Sequence, residues 1–154
     1  MLGFPASTTF RVEYADTDGQ GRVFFANYFR FFDRGRFAYW ERLGCSVDEI
    51  KQIEQDLVVV EVHCTYRAPA SFYNMVSVGV RVTRVGRSSI RLEFTIVNDS
   101  TATLMAEGYA TMVYVDLAVN RSIPVPPELR GRISGFEGHS LDDQGPSFAT
   151  GERV

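Results

Sequence analysis

Alternation of apolar and polar positions divides the chain into a few elements. Phe10, Val12 and Tyr14 alternate with Thr9, Arg11 and Glu13, which predicts a half-buried strand over residues 8–15. The next segment, Asp16-Thr17-Asp18-Gly19-Gln20-Gly21, consists of turn formers. Residues 25–43 contain no proline, exceed a strand in length and stop at Gly44, which predicts a helix. Arg30, Arg34 and Glu41 share one of its faces. Phe25, Phe29, Phe32, Tyr39, Trp40 and Leu43 cover most of the rest, so this helix is expected to be nearly engulfed. Ser46 followed by Glu49 has the form of a capping box and predicts a short helix over 46–55.

Four strands follow. Over 57–68, Val58, Val60, Val62, Cys64 and Tyr66 keep one face apolar, while the other changes to Glu61, His63 and Thr65. Over 75–85, Val76, Val78, Val80 and Val82 share a face. After Gly86, Ile90, Leu92, Phe94 and Ile96 alternate with Ser89, Arg91, Glu93 and Thr95, and a last long strand covers 103–116. Short turns make these strands antiparallel neighbours. Pro124, Pro126 and Pro127 are read as the end of regular structure. One domain over 1–134 and a flexible tail over 135–154 are expected. A long curved antiparallel sheet wrapped around one central helix buries every apolar face, which is an α+β hot-dog fold. A ferredoxin-like alternative needs a second long helix between the later strands, and none is visible.

The chain has 154 residues and a net charge of −3, which argues for neither nucleic acid nor a charged tail as partner. Apolar runs are too short for a membrane span, and residues 1–6 lack the features of a signal peptide. Two cysteines, Cys45 and Cys64, form neither a disulfide framework nor a metal pattern, so no metal or cofactor is expected and a cytoplasmic setting is. Aromatics reach 13% and crowd into residues 24–40, which marks that stretch as core and as a possible lining for an acyl or aryl pocket.

The chemistry lies in residues 14–28. Two carboxylates, Asp16 and Asp18, stand two residues apart in a Gly-rich turn that runs into a helix start. A helix start presents unpaired N–H groups and a partial positive charge, so it can polarise a carbonyl. A carboxylate fixed beside it can activate water or attack an acyl carbon. Asp18 can equally be read as a plain Asx-turn residue.

This run, Asp16-x-Asp18-x-x-Gly21-x-Val23-x-Phe25-x-Asn27-Tyr28, resembles the 4-hydroxybenzoyl-CoA thioesterase-like branch of the hot-dog superfamily. The resemblance continues through 31–36, Tyr66-Arg67-Ala68-Pro69-Ala70 and Glu107-Gly108, covering about residues 8–130. It implies an acyl-CoA thioesterase. Asp18 would be nucleophile or general base, the backbone N–H near Phe25 the carbonyl polariser, and Asp16 a structural neighbour. Gly21, Asn27 and Tyr28 would line the substrate, and Arg87, Ser88 and Ser89 would meet the nucleotide end of coenzyme A. Members act as homodimers or homotetramers with sites at the subunit interface. Two positions depart from the pattern: Asn74 stands where an acid is common, and Phe25 where Tyr is.

From position alone, His63 is a candidate substrate contact or an interface histidine, and Arg36 a partner for Asp33 at i−3. The rival functions are a thioesterase for carrier-protein-tethered chains, a hot-dog dehydratase, which would require a His paired with an acid, and a non-catalytic acyl-CoA binding module. One helix cannot cover both faces of the sheet. The second face carries Met75, Met105, Tyr109, Val113 and Val115, and the final strand is expected to pair edge to edge in a homodimer.

Overall fold

A computed structural model describes residues 3–138 and 141, and among these it holds six strands and three α-helices. In order they are β1 (Ala6–Arg11), α1 (Asn27–Arg42), α2 (Val47–Asp56), β2 (Leu57–Tyr66), β3 (Met75–Val85), β4 (Ser89–Asn98), β5 (Leu104–Asp116), β6 (Arg121–Ser122) and α3 (Pro127–Glu137), with a 3-10 turn at Tyr14–Asp16. The sheet order is β1-β3-β4-β5-β2, with β6 beside β5. β1 runs antiparallel to β3, Thr8 facing Val78. This is the predicted α+β class. Packing divides the chain into two units, and β2 to β5 and α1 contribute to both.

The first unit holds Met1–Tyr39, His63–Arg81 and Glu93–Tyr109. Here Tyr28, Phe31, Phe32, Gly35, Arg36 and Tyr39 form the buried stripe of α1, at the spacing of a one-sided amphipathic helix. Phe31 meets Phe10 of β1 edge-on at 4.9 Å between ring centroids, and Phe32 stacks on Phe94 of β4 at 4.5 Å. Burying such a ring stabilises the fold by about 1.5–3 kcal/mol. A Cβ on Gly35 would stand 2.8 Å from Val78 Cγ1, so glycine at this point lets the helix close on β3. Arg36 pairs with Asp33 at 2.8 Å, as its spacing predicts.

The second unit holds Trp40–Val62, Val82–Leu92 and Ala110–Val154. Ser46 caps α2 through the predicted box: its Oγ accepts Glu49 N–H at 3.2 Å, and its own N–H donates to Glu49 Oε2 at 2.6 Å. Trp40 Nε1 donates to Glu54 at 2.8 Å, leaving the indole fully buried with its donor satisfied. Helix α3 packs Leu129 and Ile133 inward. Arg132 bonds Glu49 of α2 at 2.8 Å, and Arg130 donates to the carbonyls of Val85 and Gly86.

Several expectations need correction. The prolines at 126 and 127 do not end regular structure. Pro127 opens α3, where its missing N–H costs nothing and its fixed φ suits a first helical turn. Helix α3 continues to Glu137 and Leu141 is buried, so order extends past residue 134; the remainder of the expected tail lies outside the described residues. Helix α1 is not engulfed in one chain: Phe37 is exposed along with Arg30, Asp33 and Glu41, and Phe25, expected within the helix, lies exposed before its start. Met105, Val113 and Val115 are buried rather than presented to a partner. The final long strand, β5, lies inside the sheet, and the edges are β1 and β2. Strand β2 is exposed on both faces over residues 59–63, including Val59, Val60 and Val62.

Candidate active site

Residues 16–24 fold back on themselves as a short hairpin in the first unit. Phe24 N–H donates to Asp16 O at 2.9 Å, Thr17 bridges Val23, and Asp18 N–H donates to Arg22 O at 2.7 Å. Gly21 closes the tip with φ +72, a left-handed backbone that disfavours a side chain, and its N–H donates to Asp18 O at 3.2 Å. Asp18 stands exposed at this tip. Its Oδ1 accepts the N–H groups of Gln20 at 2.7 Å and Arg22 at 3.3 Å, the Asx-turn arrangement. Among the described residues nothing bonds to Oδ2. The side chain is thereby held through one oxygen, and the other is left to solvent.

Asp16 has the opposite character. It is 1% exposed, accepts Glu13 N–H at 2.9 Å, and lies 3.4 Å from the Arg30 guanidinium. Its backbone carbonyl also receives Asn27 Nδ2 at 2.9 Å, which pins the first residue of α1 to the base of the hairpin. Asp16 is thus the anchor of the turn, as the resemblance implies.

The entry to α1 is a tight turn with i→i−3 bonds from Asn27, Tyr28 and Phe29 to Phe24, Phe25 and Ala26. Among the described residues, no acceptor occupies the N–H groups of Phe25 and Ala26. These are the orphan donors a helix start leaves. Phe25 is 62% exposed.

The segment between β2 and β3 grips this assembly from the other side. Val23 N–H donates to Ala70 O at 2.8 Å, Arg22 bridges Ser71, and Phe72 N–H donates to Gly21 O at 3.3 Å. Tyr28 is buried, and its hydroxyl accepts Ala70 N–H at 3.1 Å. Burial, chiefly, pushes its pKa up. The Tyr66 hydroxyl donates to Phe25 O at 2.9 Å. Loss of solvent around that hydroxyl, then the Cys64 thiol beside it, push Tyr66 up to about 12, so it stays a donor at any ordinary pH. Asn74, where the family pattern often has an acid, uses Oδ1 to accept Ser71 N–H at 2.9 Å within its own turn. Sequence patterning alone gives no role to Tyr66 or Ala70, because their partners lie about 40 residues away.

Asp18, Gly21, Phe25, Asn27 and Tyr28 are therefore brought together on one hairpin and the helix it feeds. His63 is placed elsewhere. Its ring stacks on Tyr109 at 5.4 Å, and Nε2 lies 3.0 Å from Thr65 Oγ1. It lines an open cavity of about 380 Å³ with Glu93, Thr95 and Glu107, and none of the hairpin residues lines it. Arg87, Ser88 and Ser89 form the β3–β4 turn in the second unit. Their carbonyls accept the N–H groups of Val125, Tyr114 and Gly86, and Arg87 is exposed. No cluster suited to a metal ion occurs among the described residues. Among them no helix is long and apolar enough to cross a membrane. Both cysteines are free.

This geometry has relatives. An acyl-CoA thioesterase, YbgC, of Haemophilus influenzae is 26% identical over 131 residues, covering 84% of this chain and 95% of its own. An acyl-CoA thioester hydrolase, YbgC, of Escherichia coli O6:H1 is 30% identical over 106 residues, covering 69% and 78%. A thioesterase of Thermus thermophilus, solved in complex with coenzyme A and Zn, is 29% identical with a TM-score of 0.78, covering 90% of this chain and 99% of that one. These likenesses establish the hot-dog fold. Residues 12–133 match the thioesterase-like superfamily, and the chain belongs to that family.

Proposed function

We propose that the protein hydrolyses acyl-CoA thioesters to a carboxylic acid and coenzyme A. The observation that carries this reading is the hairpin that holds Asp18 at its tip and runs directly into the start of α1. One carboxylate oxygen is locked by the turn and the other is exposed, on a hairpin whose next residues offer two unpaired N–H groups. Water adds to the acyl carbon while Asp18 either takes its proton or first attacks to form a mixed anhydride that water then cleaves. On the base route Asp18 passes that proton to the sulfur as the C–S bond breaks; on the anhydride route the carboxylate displaces the thiolate, which is protonated from solvent, and the water that opens the anhydride releases the acid and restores Asp18. The N–H groups at Phe25 and Ala26 hold the oxygen as it becomes negative, where fixed dipoles act most strongly. Gly21, Asn27 and Tyr28 shape this wall, with Asn27 and Tyr28 acting through their anchoring bonds.

Arg87, on a turn whose three carbonyls are engaged, offers a guanidinium to the phosphates of coenzyme A, with Ser88 and Ser89 beside it. The coenzyme A held by the Thermus thermophilus relative favours this substrate over a carrier-protein thioester. The cavity lined by His63 is separate from the hairpin, which favours a subunit interface over a substrate contact for this residue. A homodimer, or a tetramer of two, is proposed from β2. An exposed, Val-rich edge strand is a surface that natural proteins cover or pair. Two free thiols suit a reducing cytoplasm.

The test is thiol release from a panel of aliphatic and aromatic acyl groups, each carried on CoA and on a carrier protein. Turnover faster on CoA supports the reading. Faster release from carrier protein would transfer it to that substrate, and tight acyl-CoA binding without release would make the protein a binding module.

A further inference from the structure

We infer that Tyr66 is a positioning residue for the carbonyl-polarising N–H of Ala26, acting through the Phe25–Ala26 peptide group. The inference rests on the thioesterase reading and extends it to a residue whose hydroxyl is bonded to the backbone of the helix entry. Tyr66 Oη donates to Phe25 O at 2.9 Å, from the last position of β2 to the entry of α1. In a trans peptide the carbonyl and the following N–H point in opposite directions in one plane. A bond that fixes Phe25 O therefore fixes the direction of Ala26 N–H. It also withdraws charge from the amide and strengthens that N–H as a donor, as hydrogen bonds in series do.

Nothing else in the helix entry does this job well. Among the described residues, Phe25 O otherwise receives only Tyr28 N–H, at 3.4 Å, which is long for a firm bond. Tyr66 is itself held in place. Its ring meets Tyr28 edge-on at 5.1 Å, and Tyr28 is fixed by Ala70 N–H. The Cys64 thiol lies beside the hydroxyl on the same strand face, and the phenol stays protonated. The outcome is a donor of fixed direction supplied to a peptide that would otherwise hang on one weak bond.

The experiment is Tyr66→Phe, which removes the hydroxyl and keeps the ring. Steady-state thiol release is read together with the amide proton shift of Ala26 in the folded, unliganded protein. The expected result is a kcat lowered about tenfold with KM within about twofold, since the strengthened N–H matters most as the oxygen becomes charged. The Ala26 amide proton moves upfield, while its neighbours beyond the turn stay in place. A kcat equal to wild type, or an equal kcat with a raised KM, would overturn the inference. An unmoved Ala26 amide would do so too, even with activity lost, because the loss would then be a packing effect. Wild-type protein that releases no thiol from any thioester would instead bring down the underlying reading, and the amide shift alone would record whether Tyr66 polarises the peptide.

Discussion

The hydroxyl of Tyr28 accepts the backbone N–H of Ala70 at 3.1 Å, and both residues are buried. This bond joins the first turn of α1 to the loop between β2 and β3. Tyr28→Phe leaves the Ala70 N–H without an acceptor in a site closed to water. The cost of such an orphan is about 1–3 kcal/mol. Thermal unfolding should show a Tm lower by about 2–4 °C per kcal/mol for a chain of this size. A Tm equal to wild type would mean that Ala70 finds another partner.

Gly108 meets β2 more closely than any side chain permits. A Cβ there would overlap the backbone carbonyl of His63, with Phe32 Cε2 3.0 Å away on the same side. The carbonyl belongs to a neighbouring strand and cannot swing aside as a flexible side chain would. Gly108→Ala is expected to cost more than the ~1–3 kcal/mol typical of overpacking. Denaturant titration checks this, and a midpoint within error of wild type would show that β2 can shift.

Acid should loosen the contact between α2 and α3. The bond from Ser46 N–H, then the Arg132 guanidinium, hold the Glu49 carboxyl below its ordinary 4.5. A lowered folded pKa gives stability that is present above the unfolded value and is lost as pH falls through the folded one. The stability difference between wild type and Glu49→Gln should therefore be constant near neutrality and shrink below about pH 4.5, as linkage requires. A difference that persists unchanged at pH 3 would assign the contribution to packing instead.

The exposure of Val59, Val60 and Val62 on an edge strand predicts association. Light scattering at micromolar concentration should give the mass of two chains or a multiple, and Val60→Lys should lower it. A one-chain mass for wild type would remove the dimer from the account.

The sequence was most legible where pattern is local. Strand β3, the alternation of β4 and the capping box of α2 appear where expected because each is set by neighbours a few residues away. The start of α3 was hidden because proline reads as a stop unless its place at N1 is recognised. The one-sided burial of α1 was hidden because a run of aromatics carries little periodicity of its own. At the site, Asp18 and the helix start were legible from turn chemistry. The clamp from Tyr66 and Ala70 was not, since those bonds span 41 and 42 residues and depend on β2 returning to the helix entry.

The most direct test of the account is Asp18→Ala, measured by thiol release alongside thermal unfolding. Asp18 is exposed and its bonds are local to the turn, so Tm should change little, unlike a change at the buried Asp16. The account predicts that kcat falls by about 10²- to 10⁴-fold, the range a positioned base or nucleophile supplies. Turnover within a few-fold of wild type across several acyl-CoA thioesters would contradict it.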